Sequence, residues 1–252
     1  MKNLMIYVNP NKHFDDERGV LAKIQIENCL RLGWKPKDII VVTNFDWTYK
    51  GIKSMIVDDS NYCIVHDKAS KISVILNLSN NGTFKKGQLH WFHDFDAFQI
   101  RKFGEYEPDM GGYNLGLTDY GFSPNWNTGS MFFRAEAHRV FKWMMNEVYN
   151  HKFNEERALQ LLTHRNYGHI NASYLRLNIT YNFPSCRSGV GRIPGNYEKA
   201  IKPIRVLHFH PFYKGVNYLE KMSGDNPLKK NFIPKGLRDI FKKHLPGLSQ
   251  NI

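Results

Sequence analysis

The sequence predicts an α/β fold: one domain built on a Rossmann-type sheet flanked by helices. Three observations carry that expectation. Apolar runs of strand length alternate with helical periodicity through the first hundred residues. The first run closes on Asn9-Pro10, the punctuation of a buried strand opening into a loop. A chain of 252 residues is long enough for one sizeable core and short for two.

Taken in order, residues 4–8 form the first strand, and Val8 and Asn9 stand at its carboxyl end, where open α/β sheets bind their ligands. A helical pattern over 18–32 places Leu21, Ile24, Ile26, Cys29 and Leu30 on its apolar side and ends near Gly33. The β-branched run 38–43 follows as the second strand, giving strand, helix, strand. A further β run at 52–57 and a helix at 68–78 lead into the apolar segment 88–96. The Gly-, Tyr- and acid-rich stretch 105–119 reads as loop and irregular β. Helices are expected at 134–150, with Val140, Phe141, Met144, Met145 and Val148 on the apolar face, and at 154–163. The domain is expected to fill residues 1–215, with about 1–96 as one half and 97–215 as the other, leaving 216–252 as a basic tail.

Lys and Arg number 35 against 23 Asp and Glu, a net charge of +12, which points either to an anionic partner or to nothing beyond a lysine-rich composition. No apolar run is long enough for a membrane span, and the first residues turn polar too soon for an export signal. Cys29, Cys63 and Cys186 lie far apart with no CxxC spacing, which argues against a thiolate zinc site and suits a reducing, cytoplasmic compartment.

The strongest chemical signal is Asp94-Phe95-Asp96 at the end of an apolar strand. Two carboxylates one residue apart, where a strand gives way to a turn, can both reach one hard divalent cation, and that cation can neutralise a diphosphate leaving group. Alone, the pattern is also that of a solvated turn. Downstream come Trp126-Asn127-Thr128-Gly129-Ser130, then Asn154-Glu155-Glu156 opening a helix, then Val206-Leu207-His208-Phe209-His210-Pro211-Phe212-Tyr213-Lys214-Gly215.

Read together and in this order, these segments resemble the GT-A class of nucleotide-sugar glycosyltransferases, in particular the glycogenin-like and bacterial galactosyltransferase-like group. The resemblance covers residues 1–215. It implies a metal-dependent transferase that moves a sugar from a nucleotide-sugar donor, UDP-linked above all, to an acceptor hydroxyl. It makes Asp94 and Asp96 ligands of Mn²⁺ or Mg²⁺, His208 the third ligand and Lys214 a donor-phosphate contact. His210-Pro211 stands where the family has glycine, so His210 is an alternative ligand. Asn127 and Gly129 would lie against the donor sugar. Glu155 or Glu156 would act as base or as stabiliser of an oxocarbenium-like transition state, with Asp119 a rival. Ser70 and Lys71 open a helix whose start can meet a donor phosphate or ribose. The basic loop carrying Arg187 and Arg192 is a candidate acceptor contact.

The acceptor is less defined. Small transferases of this kind occur in viruses and phages, where hydroxymethylated DNA bases are acceptors, and the net charge suits such a polyanion. The alternatives are a lipopolysaccharide or other saccharide reached by peripheral membrane contact, a metal-dependent nuclease or phosphatase, and a non-enzymatic nucleic-acid-binding protein. The tail bears on this choice. Leu237, Ile240, Phe241 and Leu245 recur at helical spacing, with Lys235, Arg238, Lys242 and Lys243 mostly opposite. Such a helix can pack on the domain, grip DNA phosphates or lie on an anionic membrane.

Overall fold

The computed structural model describes residues 1–121, 125–184, 193–209 and 233–245. The expected β and α alternation is present. Strand β1 (Lys2–Tyr7) is followed by α1 (Asp16–Arg31) and β2 (Ile39–Thr43). A two-residue hairpin, β3 (Thr48–Tyr49) and β4 (Ile52–Lys53), precedes β5 (Met55–Ile56). Then come α2 (Ser70–Asn80), β6 (His90–His93), β7 (Ala97–Gln99), β8 (Leu115–Asp119) and β9 (Trp126–Phe133). The remainder comprises α3 (His138–His151), α4 (Glu155–His164), β10 (Leu175–Arg176), β11 (Phe183–Pro184), α5 (Ile193–Lys199), β12 (Val206–His208) and α6 (Lys235–His244).

Among the described residues the central sheet has seven strands in the order β10-β8-β9-β6-β1-β2-β5. Strand β9 pairs antiparallel with both neighbours, and every other pairing in the sheet is parallel. A parallel strand is covered on both faces, and β1 shows this directly. Leu4 and Ile6 join the core beneath α2, α3 and α4, while Met5, pointing the other way, joins the core beneath α1 and α6. A second sheet, β11-β12-β7, lies against the end of the first and pairs His208 with Ala97.

Local chemistry sets the helix starts. The Asp15 carboxylate accepts from Arg18 N at 2.7 Å to cap α1, with Asp16 and Glu17 in its first turn. Asn154 caps α4 in the same way, accepting from Arg157 N at 2.8 Å.

Three expectations are refined. The β run over 52–57 divides at Ser54, whose hydroxyl donates to Phe45 O and accepts from Trp47 N, so β4 turns back on β3 and β5 pairs with β2. The helix expected from 134 begins at His138, because residues Ala135–Ala137 form a 3-10 turn and the Arg134 guanidinium is held by Tyr113 O at 2.7 Å. The stretch read as loop and irregular β ends in strand β8, five residues long and buried throughout, whose pairing with β9 shifts register between Gly116 and Thr118.

Helix α6 packs within the fold. Leu237 and Phe241 are fully buried, and the Phe241 ring meets Phe98 edge to face at 5.2 Å. Its first turn lies on Arg31, where a Cβ on Gly236 would come within 2.8 Å of the Arg31 side chain. Its last turn reaches Glu27, which Lys243 contacts at 2.6 Å. The helix therefore covers the second half of α1. Among the described residues no helix is long and apolar enough to cross a membrane.

Candidate active site

The parallel strands β1 and β6 end on one side of the sheet, and the starts of α1, α2 and α4 gather around those ends. They enclose a cavity of about 470 Å³. Val8 and Asn9 line it from β1, Ser70 and Lys71 from α2, Asn154, Glu155 and Glu156 from α4, Asp94 and Asp96 from the turn after β6, and His208 from β12. Three helix starts and a lysine around one cavity favour an anionic ligand.

Asp94, Asp96 and His208 present one ligand atom each, all within 4.8 Å of one another. Strand pairing creates this group. The antiparallel match of β12 with β7 sets His208 beside the Asp turn, and Phe209 N donates to Asp96 O at 2.9 Å. The imidazole is held from behind. Asn182 Nδ2 donates to Thr118 Oγ1 at 3.0 Å and to Asn127 O at 3.1 Å, which turns Asn182 Oδ1 toward His208 Nδ1 at 3.0 Å. Nδ1 is thus a donor to Asn182, and Nε2 faces Asp96 Oδ1 at 3.2 Å, within hydrogen-bonding reach. That contact is closed by a proton on Nε2 or by a cation held between the two groups. Two carboxylates and a neutral imidazole are a donor set that suits Mn²⁺ or Mg²⁺, so the residues fit a divalent ion.

Charge around this group is unbalanced. Lys71 Nζ sits 3.1 Å from Asp94 Oδ1 and Oδ2, and 3.1 Å from Glu155 Oε1. Burial opposes its charge, yet Asp94, Glu155 and Glu156 more than offset that and hold the ammonium above its ordinary value. Burial likewise pushes Asp94 up, with Asp96 adding to the effect against Lys71. Asp96 is lowered, because His208 outweighs the burial that would raise it. The two glutamates are driven apart. Glu155 resists its burial through Lys71 and is lowered, whereas burial and the neighbouring Glu155 charge raise Glu156. Glu155 Oε1 accepts from Thr128 Oγ1 at 3.1 Å, while its buried Oε2 has no hydrogen-bond partner. Glu156 accepts from Tyr120 OH at 3.1 Å and from Thr128 N at 3.1 Å.

The other residues expected in the site are placed as follows. Asn127 and Gly129 stand behind His208 rather than along the cavity. Asn127 Oδ1 accepts from Gly129 N at 3.1 Å, and a Cβ on Gly129 would come within 1.9 Å of His208 Cε1. The glycine is therefore required by the imidazole. Asp119 is buried at the end of β8, ion-paired with Arg176 and accepting from Gly121 N at 2.7 Å, one residue from the cavity-lining Tyr120. Arg187, Arg192, His210 and Lys214 lie outside the described residues.

Tyr120, Thr128 and Asn182 are the functional neighbours that motif reading passed over. Tyr120 and Thr128 lie within segments already singled out, but nothing in the sequence separates them from their neighbours. Asn182 belongs to no motif, since its role exists only through tertiary contact.

No protein-family model and no curated protein matches the chain in sequence. Solved structures match in fold. The galactosyltransferase LgtC, in complex with donor and acceptor sugar analogues, superposes with a TM-score of 0.58 at 11% identity, over 99% of this chain and 97% of its own. The glycosyltransferase GlyE of Streptococcus pneumoniae gives 0.58 at 11% identity, over 98% of this chain and 64% of its own. Mouse xyloside xylosyltransferase 1 gives 0.51 at 13% identity, over 82% and 96%. The chain has the GT-A fold of these glycosyltransferases.

Proposed function

We propose that the chain is a metal-dependent glycosyltransferase that moves a sugar from a nucleotide-sugar donor, UDP-linked by preference, to an acceptor hydroxyl. One observation carries the reading: Asp94, Asp96 and His208 converge at the carboxyl ends of strands in a GT-A fold, on a cavity ringed by helix starts. Asp94, Asp96 and His208 would hold Mn²⁺ or Mg²⁺, which supplies positive charge to the diphosphate as it leaves.

The chain's own residues do the rest. Val8 and Asn9 bound the cavity at the end of β1 and form one wall of the donor site. Lys71 neutralises part of the acidic cluster and fixes the Asp94 and Glu155 carboxylates. Glu155, held ionised and with an unpartnered oxygen, stabilises positive charge growing at the anomeric carbon. Glu156, whose carboxyl is raised and hydrogen-bonded by Tyr120, is the better matched group to accept the proton of the incoming hydroxyl. The acceptor in this reading is an anionic polymer, with a hydroxymethylated base in DNA as its leading form, in keeping with a net charge of +12.

The test is a screen of nucleotide sugars for hydrolysis with Mn²⁺ and after chelation, followed by competition between modified DNA and saccharide acceptors. Metal-dependent hydrolysis of one donor, accelerated by one acceptor class, is the expected result. Turnover that survives chelation contradicts the metal, and inertness toward every nucleotide sugar contradicts the transferase.

A further inference from the structure

The turn that carries Asp94 and Asp96 runs on into β7, and among the described residues β7 has a strand on one edge only. That strand is β12, and there Phe209 N donates to Asp96 O at 2.9 Å. Successive carbonyls of an extended segment point to opposite edges, so Phe95 O, Ala97 O and Gln99 O face away from β12. Side-chain amides of α1 meet all three. Gln25 Nε2 donates to Phe95 O at 2.9 Å and to Ala97 O at 3.0 Å, and Asn28 Nδ2 donates to Gln99 O at 2.8 Å.

Gln25 and Asn28 are fully buried in a helix whose neighbouring positions, Leu21, Ala22, Ile24, Ile26 and Cys29, belong to the apolar core. Burying an amide is costly unless its hydrogen bonds are made. Gln25 makes those of its nitrogen alone: both Nε2 hydrogens are used, while Oε1 has no hydrogen-bond partner among the described residues. The orientation is forced, because a flipped amide would set Oε1 against two carbonyl oxygens. A core position thus keeps a two-pronged donor in spite of its orphaned oxygen. The reason lies in what the two prongs hold.

Phe95 O and Ala97 O stand on either side of Asp96. With Asp96 O anchored by Phe209 N, three successive carbonyls are fixed from both edges, and Ala97 N closes the turn onto Asp94 O at 3.0 Å. The two peptide planes that flank the Asp96 Cα are thereby held, and with them the direction of its Cα–Cβ bond. That direction sets the carboxylate against His208, whose Nε2 lies 3.2 Å from Asp96 Oδ1. A working metal site needs its ligands held to within about 0.5 Å. Asn28 grips the same edge three residues farther on, about 10 Å along the strand from Asp96.

We propose that Gln25 is a positioning residue for the metal site: its amide takes the place of a neighbouring strand, sets the backbone of the Asp94-Phe95-Asp96 turn and so aims the Asp96 carboxylate. That a cation binds there rests on the transferase reading above.

The experiment is a calorimetric titration of the full chain with Mn²⁺ alone, read beside the melting temperature. Gln25→Met keeps the side-chain length and removes both donors. Asn28→Leu removes the donor to Gln99 O and is the control, since it too leaves a carbonyl unpaired beneath α1. Both variants should melt a few degrees below wild type. Gln25→Met should weaken Mn²⁺ binding by about 10-fold or more, while Asn28→Leu stays within about twofold of wild type. Gln25→Asn keeps an amide of shorter reach and should fall between the two; it carries the test if Gln25→Met does not fold. A Mn²⁺ isotherm unaltered in the folded Gln25 variant, or weakened as much by Asn28→Leu, overturns the proposal and leaves the metal site standing. A wild-type chain that binds no Mn²⁺ contradicts the metal reading itself, and the role of Gln25 falls with it.

Discussion

Two buried charge clusters lie at opposite ends of α1, and they are built in opposite ways. At Glu27 one carboxylate meets an excess of cations: Lys243 at 2.6 Å and Lys50 at 3.4 Å, with Tyr49 OH donating at 2.6 Å and the His244 ring 3.2 Å away. At the cavity one lysine, Lys71, meets an excess of acids, and the cluster keeps an orphaned Glu155 oxygen. The first cluster satisfies its single carboxylate with the protein's own groups and joins α6 to α1. The second lacks positive charge and needs a ligand to complete it. Incomplete charge compensation is thus what separates a binding site from a structural latch, and substitutions should divide along that line.

The largest effect belongs to the cavity. Asp96→Asn should lower donor turnover by about 10³-fold or more, since the loss of metal charge removes several kcal/mol from the transition state. Its melting temperature should change by only a few degrees, because Asn keeps the side-chain volume and can still hydrogen-bond His208. A melting temperature that collapses would mean that Asp96 is structural. Glu155→Gln should lower kcat by about 10²- to 10³-fold while UDP affinity is kept, as steady-state kinetics beside UDP titration will show. His208→Ala should weaken Mn²⁺ binding more than His210→Ala does, and Asn182→Ala should weaken it by about 10- to 100-fold through loss of ring orientation. An unaltered metal isotherm for Asn182→Ala contradicts the orienting role assigned to Asn182.

The smallest effect lies at the latch. Glu27→Gln should lower the melting temperature by only about 2–4 °C, the equivalent of about 1 kcal/mol, with UDP binding intact. Glu27 has a sign that can be checked. Burial would raise its carboxyl, but Lys243, Tyr49 and His244 hold it down at about 2. The folded value is below the ordinary 4.5, so its contribution is present above about pH 4.5 and is lost as pH falls toward 2. The gap in melting temperature between wild type and Glu27→Gln should therefore close over that interval. A gap constant with pH contradicts the charge-based account of the latch.

The sequence discloses these two regions unequally. Strand β1, helix α1 and the Asp94-Phe95-Asp96 turn are legible because periodicity and punctuation are local properties. Of the expected apolar face of α6, Leu237, Phe241 and Leu245 are buried and Ile240 partly so. Its partner was not legible, since Glu27 lies 216 residues from Lys243 and no spacing links them. The same holds within the site. Asp94 and Asp96 announce themselves, but Asn182 reaches His208 across 26 positions through side-chain contact alone. Gly129 was expected against the donor sugar, on the resemblance alone. What approaches it is an imidazole, which only the pairing of β12 with β7 could reveal.

The account rests on a cavity whose cluster of acids is completed by a divalent cation and a diphosphate together. Calorimetric titration of the full chain with UDP, with and without Mn²⁺, measures that coupling directly. The account predicts UDP binding that appears with Mn²⁺, weakens strongly after chelation and is lost in Asp96→Asn. UDP binding of equal strength with and without the metal, or none at millimolar nucleotide, would contradict it.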